Sequence, residues 1–184
     1  MKTRKNGRGL SVVVSTLILL VVTVLLATLD SYYATNVMRA RSNMEEVHYS
    51  DERVWANDTG AVAAFKLHNT GGRDILIDRL TVRGVESEWG NVYFYRVPID
   101  SSVLGEMNVT SYDNLIGNNV TIDGRLYKVA NTPLTLVSSG VIMFYVKGPR
   151  NVQTEDVGKI VSIGLCTNNA NYMTEASVES ATKQ

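Results

Sequence analysis

Cysteine and histidine are scarce in this sequence, and their scarcity limits the chemistry that the chain can carry out. Cys166 is the only cysteine among 184 residues, so no disulfide can form within the chain. Its surroundings, "IVSIGLC", are typical of a buried strand. His48 and His68 are the only histidines, and neither has a Cys, His or carboxylate at metal-ligand spacing. We therefore expect no catalytic site, no metal site, no cofactor and no enzymatic activity.

An excess of charge of one sign is also missing. The sequence holds 18 basic and 18 acidic side chains. Four of the basic ones crowd the first eight residues, and without them 14 basic side chains remain against 18 acidic ones. Proteins that bind nucleic acid draw on clustered Lys and Arg. The mildly acidic chain that follows this basic leader therefore argues against nucleic acid as a partner.

Charge is absent altogether from residues 10–29. As a helix, these 20 residues span about 30 Å, the thickness of the hydrocarbon core of a bilayer. The apolar part of a secretory signal is usually about 7–15 residues long, and Leu26–Ala27–Thr28 is a poor cleavage site for signal peptidase. The basic leader places the N-terminus in the cytoplasm and the chain after Asp30 outside the cell.

The junction between the basic leader and the apolar run has a distinctive order. Arg8 and Gly9 stand directly before Leu10, in "KTRKNGRG" followed by "LSVVVSTLILL". This order resembles the class III signal of type IV pilin-like proteins, in particular the archaeal ones. The resemblance implies that a prepilin peptidase cuts between Gly9 and Leu10 and leaves the apolar helix on the mature chain. The fifth mature residue is Val14, where bacterial pilins usually carry Glu, and this difference favours the archaeal group. The alternative is an uncleaved single-pass anchor.

The helical pattern continues beyond the apolar run. Apolar residues recur at steps of three or four to Val47, so the sequence predicts a helix from Leu10 to about His48, about 58 Å long. Its first half is apolar on every side and must be buried on every side, by lipid in the membrane and by sister helices outside it. The core of such a helical homopolymer would include Leu17, Leu20, Val24, Tyr33 and Val37. A membrane span followed by a stalk helix is the alternative.

From about residue 55 the apolar pattern has period two, which indicates strands. Asp123–Gly124 predicts a hairpin turn, and the alternation slips at Asp78–Arg79, which predicts a bulge. Short strands with Gly and Asn turns favour an α+β chain in which the long helix precedes an antiparallel immunoglobulin-like β-sandwich. The predicted strands cover residues 61–68, 75–82, 91–97, 120–122, 126–129, 134–137, 141–147, 159–167 and 172–179.

The stretch "FKLHNTGGRDILIDRLTVRG" also resembles the opening hairpin of archaeal pilin and archaellin domains. The resemblance thus covers the leader, the helix and the start of the β domain. We therefore predict three parts: a removed leader at residues 1–9, a transmembrane and filament-core helix at 10–50, and an extracellular β domain at 51–184.

Three N-x-[ST] sequences are candidate N-glycosylation sites, at Asn57, Asn108 and Asn119. The last two belong to a polar region with weak periodicity that we expect at the surface.

These features together predict a structural subunit of an archaeal type IV pilus-like surface filament. Its partners would be copies of itself, the prepilin peptidase and, before assembly, the membrane. Three alternatives remain open: a membrane-anchored extracellular binding module, a minor pilin or adhesin, and an archaellin of a motility filament.

Overall fold

The computed structural model describes residues 7–98, 101 and 105–181, with side chains from Ser11 onward. The chain divides into two compact units at the boundary between Ser42 and Asn43. The described part of the first unit is a single helix and that of the second is built mainly of strands, so the α+β class predicted from the sequence is confirmed.

The helix, α1, covers Gly7–Ser42. The prediction that it continues to about His48 is wrong, because the first strand, β1, begins at Val47. His48 pairs with His68 there, and Val47 and Tyr49 turn toward the core of the second unit. Apolar residues at 44 and 47 satisfy helical spacing, but the pairing with the next strand decides their conformation. The boundary between helix and β domain therefore lies eight residues before the predicted one at residue 50.

The described strands of the second unit are β1 Val47–Asn57, β2 Gly60–Asn69, β3 Ile75–Val82, β4 Val85–Glu86, β5 Val92–Val97, β6 Asn119–Ile122, β7 Arg125–Val129, β8 Leu134–Leu136, β9 Val141–Lys147, β10 Ile160–Thr167 and β11 Asn171–Ser180. Ten of them form one hydrogen-bonded path in the order β4-β3-β10-β11-β1-β2-β9-β5-β7-β6, and β8 pairs with β3 beside this path.

The sheet is mixed and strongly curled into a half-barrel, so it departs from the purely antiparallel sandwich that the sequence predicted. Residues 171–177 of β11 pair antiparallel with β10, and its last three residues pair parallel with β1, Val54 lying opposite Val178. One strand thus continues from one part of the sheet into the other, as strands do at the corners of folded sheets. This parallel pair joins what would otherwise be two separate sheets.

The nine predicted strands agree with observed strands to within one residue at each end, whereas β1 and β4 were not predicted. Asp123 and Gly124 both have positive φ angles, 51° and 71°, as the two-residue turn between β6 and β7 requires. Arg79 pairs with Cys166 while Ile77 pairs with Thr167, so Asp78 is the extra residue of a bulge in β3. The slip keeps the side chains at 75, 77, 80 and 82 buried on one face.

The central strands β2 and β9 are buried on both faces. One face belongs to the larger core, where Phe65 and Phe144 stack with ring centroids 5.4 Å apart. The opposite face belongs to a smaller core that contains Trp55 and Tyr145. The β6–β7 hairpin and residues 107–115 cover this second face. Near-continuous apolar runs in β2 and β9 are the sequence signal of burial on two faces.

Candidate functional site

The apolar surface of α1 is the largest feature that the fold leaves uncovered. The large apolar residues from Val12 to Leu29 are 44–64% exposed. The five residues predicted to lie in a filament core are all on α1 and all exposed, between 38% at Val37 and 73% at Tyr33. An apolar surface of this length marks contact with lipid or with another protein.

The length and composition of α1 are those of a membrane span over Ser11–Ser42, none of whose apolar part is buried in the protein. An N-terminal signal sequence has the same properties. The chain thus carries a long, exposed, apolar helix whose length and composition fit both a signal sequence and a membrane span.

Six Ser and Thr hydroxyl groups of α1 are satisfied within the helix itself. Thr23 Oγ1 donates to the carbonyl oxygen of Leu20 at 2.9 Å, and Ser31 Oγ donates to that of Ala27 at 2.8 Å. The same bond back to the preceding turn is made by Ser15, Thr16, Thr28 and Thr35. Because each hydroxyl hydrogen has a partner, these residues can face lipid or another helix without an unpaired donor.

The predicted cleavage site lies at the beginning of α1. The backbone of Arg8, Gly9 and Leu10 is helical, and the side chains of Arg8 and Leu10 lie outside the described part of the chain. Residues 1–6 of the predicted leader also lie outside it.

The residues that follow α1 are bound to the turn between β2 and β3. The carbonyl oxygen of Glu46 accepts hydrogen bonds from Thr70 N at 2.9 Å and Gly71 N at 3.2 Å, and that of Met44 accepts one from Gly72 N at 3.1 Å. A β-carbon at Gly71 would clash with the Met44 carbonyl oxygen. Glycine at residue 71 thus allows the chain that leaves the helix to lie against this turn.

Buried Asn69 holds the same turn in shape. Its Nδ2 donates to the carbonyl oxygens of Arg73 at 2.7 Å and Leu136 at 3.1 Å, and its Oδ1 accepts from Gly71 N at 3.0 Å. The segment that carried the resemblance to pilin and archaellin hairpins therefore has a structural role, which is to fix the start of the β domain.

The three sequons differ in accessibility. Asn108 and Asn119 are exposed, whereas Asn57 is half-buried at the end of β1. The Asn57 Oδ1 atom accepts hydrogen bonds from Thr59 N at 3.1 Å, Thr59 Oγ1 at 2.8 Å and Gly60 N at 3.0 Å, which closes a tight turn.

An open groove of about 600 Å³ lies beside two of the sequons. Polar groups dominate its lining, which comes from residues 108–114 and from the β6–β7 hairpin. The exposed Asn108 carboxamide belongs to this lining, and Asn119 begins the strand that forms one wall.

Sequence reasoning missed a charged cluster on the smaller core face of β1 and β2. Lys66 is only 5% exposed, and its Nζ lies 3.0 Å from Asp51 Oδ2. Arg53 extends the cluster through ion pairs to Glu106 at 2.8 Å and to Glu179 at 2.9 Å. Its members are distant in the sequence, so periodicity carries no signal for it. The cluster connects residues 105–107 to the central strands.

The two histidines, which the sequence left without a role, are cross-strand neighbours. Their ring centroids lie 6.5 Å apart, and Ser50 Oγ lies 3.0 Å from His68 Nε2. Burial, followed by the charges of His48 and Lys66, lowers the pKa of His68. The described residues contain no carboxylate bonded to the other ring nitrogen, so they do not assemble a catalytic triad.

The chain matches no protein-family model, and no curated protein is similar enough to count as a relative. The order of a long apolar helix and a β-sheet domain is consistent with a pilin-like fold.

Proposed function

We propose that this protein is a structural subunit of a type IV pilus-like filament on the cell surface, and that the filament is of the archaeal kind. The observation that carries the proposal is the apolar surface of α1, which remains exposed although the β domain has a complete core of its own. A helix that is apolar on every side needs cover on every side. Lipid supplies the cover for the membrane-inserted precursor, and sister helices supply it in the filament.

Assembly in this proposal has three steps. The basic leader keeps the N-terminus in the cytoplasm while the β domain folds outside. A prepilin peptidase then cuts between Gly9 and Leu10 and removes four basic side chains, which would be costly to bury unpaired in an apolar bundle. Copies of α1 finally leave the bilayer and pack together, and the β domains surround them. No enzymatic step is assigned to the chain itself.

The β domain would form the outer part of the filament. The strands on both sides of β11 contribute to one larger core, and we propose that this curled sheet is a variant of the immunoglobulin-like domains of archaeal pilins. Exposed Asn108 and Asn119 would carry N-linked glycans on the outward surface. The internal hydrogen bonds of the α1 hydroxyls support transfer of the helix from lipid to a protein bundle.

A membrane-anchored binding module is the second candidate, and the open groove of about 600 Å³ favours it. The two candidates predict different N-termini. N-terminal sequencing of the protein purified from its native membrane should find Leu10 first if the chain is a processed pilin. A chain that begins at residue 1 or 2 would support the anchored module and contradict the proposal.

Electron microscopy of cells that express the chain is the second test. We expect surface filaments that an antibody against the β domain labels along their length. Label only at a tip or base would indicate a minor pilin or adhesin, and rotating filaments would indicate an archaellin.

A further inference from the structure

Beyond the leader, α1 contains only three charged residues, which are Asp30, Arg39 and Arg41. All three are exposed. The residues one turn from Asp30 along the helix are Leu26, Ala27, Tyr33 and Ala34, none of which is basic. Asp30 therefore has no partner on its own helix, and it stands directly after the apolar run.

We propose that Asp30 forms an ion pair with Arg39 of a neighbouring copy, and that this pair sets the axial offset between adjacent α1 helices. The inference rests on the proposed function, because it needs copies of α1 to pack side by side. In this proposal, the molecule that covers the exposed face of α1 is thus a second copy of this chain.

Helix geometry distinguishes the two arginines. Asp30 and Arg39 are nine residues apart, which is about 2.5 turns, so their side chains leave opposite sides of the helix, about 14 Å apart along its axis. Arg41 is 11 residues from Asp30, about three full turns. It therefore lies on the same side as Asp30, about 17 Å along the axis.

Charges on opposite sides suit an open-ended polymer. When the Asp30 side of one copy meets the Arg39 side of the next, each of the two copies still has one unpaired charge on its other side. A further copy can pair with that charge, so the contact is heterologous and does not close. Asp30 and Arg41 lie on the same side of α1, so pairing between these two residues would instead suit a closed antiparallel dimer. Helices inserted into one membrane in the same orientation are parallel, which favours Arg39.

Assembly changes the surroundings of Asp30. In the bilayer its carboxylate lies about 30 Å along the helix from Leu10. At that distance the carboxylate reaches the lipid headgroups and water. In a bundle of helices it would be surrounded by protein, and an unpaired charge there is strongly unfavourable. Ala27 and Ala34 flank Asp30 by one turn on either side and leave room for a long side chain. The planar guanidinium of Arg suits a carboxylate in two-point contact.

Charge exchange tests the pairing directly. We would compare wild type with D30R, R39D and the double variant D30R/R39D, and with R41D and D30R/R41D as matched controls. Filaments per cell would be counted by electron microscopy, and mature chain in the membrane would be measured by immunoblot. We expect D30R and R39D each to reduce filaments more than about tenfold while the mature chain still accumulates. D30R/R39D should restore filaments, and R41D should leave their number unchanged.

A second measurement does not depend on how well the charge variants fold. Thr23 and Tyr32 stand one heptad before Asp30 and Arg39, on the same two sides of the helix. In a C166S background, T23C/Y32C filaments should form a ladder of disulfide-linked multimers on oxidation. The control pair T23C/A34C places both cysteines on one side and should form no ladder.

The outcomes separate the pairing from the proposed function. Wild-type cells without filaments would contradict the function itself. Three results would overturn only the pairing. One is a normal number of filaments from D30R, and another is rescue of D30R by R41D and not by R39D. The third is a disulfide ladder from T23C/A34C and none from T23C/Y32C.

Discussion

The Lys66 ammonium group lies 3.0 Å from the Asp51 carboxylate on the face of β2 that contributes Val62 and Ala64 to the smaller core. Asp51 occupies a bulge of β1 with a φ angle of 58°, which lets its side chain reach back toward β2. Lys66 Nζ also donates to the Gly105 carbonyl oxygen, and Met107 N donates to the Asp51 carboxylate. Both charges are thus satisfied by one another and by the segment that they hold.

Removing one charge of this pair should destabilise the β domain. Asn is nearly isosteric with Asp and tolerates a positive φ angle, so D51N removes the charge with little backbone strain. We expect D51N to lower the free energy of unfolding by about 3 kcal/mol, because Lys66 is left buried without a counter-charge. Urea unfolding of the purified chain in detergent would measure the change.

The double variant D51N/K66M serves as the control, since it removes both charges. It should be more stable than D51N alone. If K66M lowers the free energy of unfolding as much in the D51N background as it does in wild type, the two residues act independently and the pairing has no energetic role.

Gly71→Ala should disturb the attachment of the residues that follow α1. The new β-carbon would meet the Met44 carbonyl oxygen and Glu46 N, both backbone atoms that cannot rotate away. We expect a loss of about 1–3 kcal/mol in the free energy of unfolding. Gly90→Ala is the matched control, because nothing lies near its β-carbon position, and should change stability by less than about 0.5 kcal/mol. Equal stability of the two variants would contradict the close approach.

Asp156 should contribute to the resistance of the domain to acid. Hydrogen bonds from Lys159 Nζ at 2.8 Å and from Gln153 N at 3.1 Å lower the pKa of its carboxyl group, and the Arg83 guanidinium at 3.0 Å acts in the same direction. The stabilisation is present above the unfolded pKa of about 3.9 and is lost as the pH falls through the lower folded pKa.

D156N should therefore lower Tm near neutral pH and reduce the fall in Tm between about pH 5 and pH 2. Thermal unfolding followed by circular dichroism across this range would measure both effects. D113N changes an exposed carboxylate and is the control. A pH profile of D156N parallel to that of wild type would argue against this role.

Glycan occupancy should follow the accessibility of the sequons. We expect N-linked glycans at Asn108 and Asn119, and less modification at Asn57, whose carboxamide is held by three hydrogen bonds in a half-buried turn. Mass spectrometry of peptides from the native protein would measure occupancy at each site, with N108Q and N119Q to verify the assignments. Full occupancy at Asn57 with unmodified Asn108 and Asn119 would show that folded accessibility does not decide the pattern.

Gly9→Val should block processing, since a bulky residue would stand directly before the scissile bond that the pilin resemblance implies. We expect an uncut precursor on immunoblots and no filaments. Ser11→Ala, two residues beyond the bond, should be processed as wild type. Mature filaments of normal number from the Gly9→Val variant would count against class III processing.

Local patterns in the sequence were reliable where a single pair of strands decided the structure. The Asp123–Gly124 turn and the bulge at Asp78 depend on their immediate neighbours, so both could be predicted. The end of α1 depends instead on β2, which draws Val47 and the residues after it into a strand.

The features that sequence reasoning missed involve partners far apart in the chain. Arg53 bonds to Glu179, 126 residues away, and the parallel pairing of Val54 with Val178 is similarly remote. No periodicity in either segment encodes such a partner. For α1, the role of its exposed apolar residues in a filament core stays a prediction.

The parallel contact between β1 and β11 has a consequence for the order of events during synthesis. β1 is the first strand to emerge after α1, yet one side of its last residues stays open until β11 arrives more than 100 residues later. The sheet therefore closes only after synthesis has reached residue 180, and a nascent chain halted earlier would present an unpaired edge in the middle of the domain. In the filament that we propose, such an open edge would distinguish an unfinished subunit from one that is ready to be incorporated.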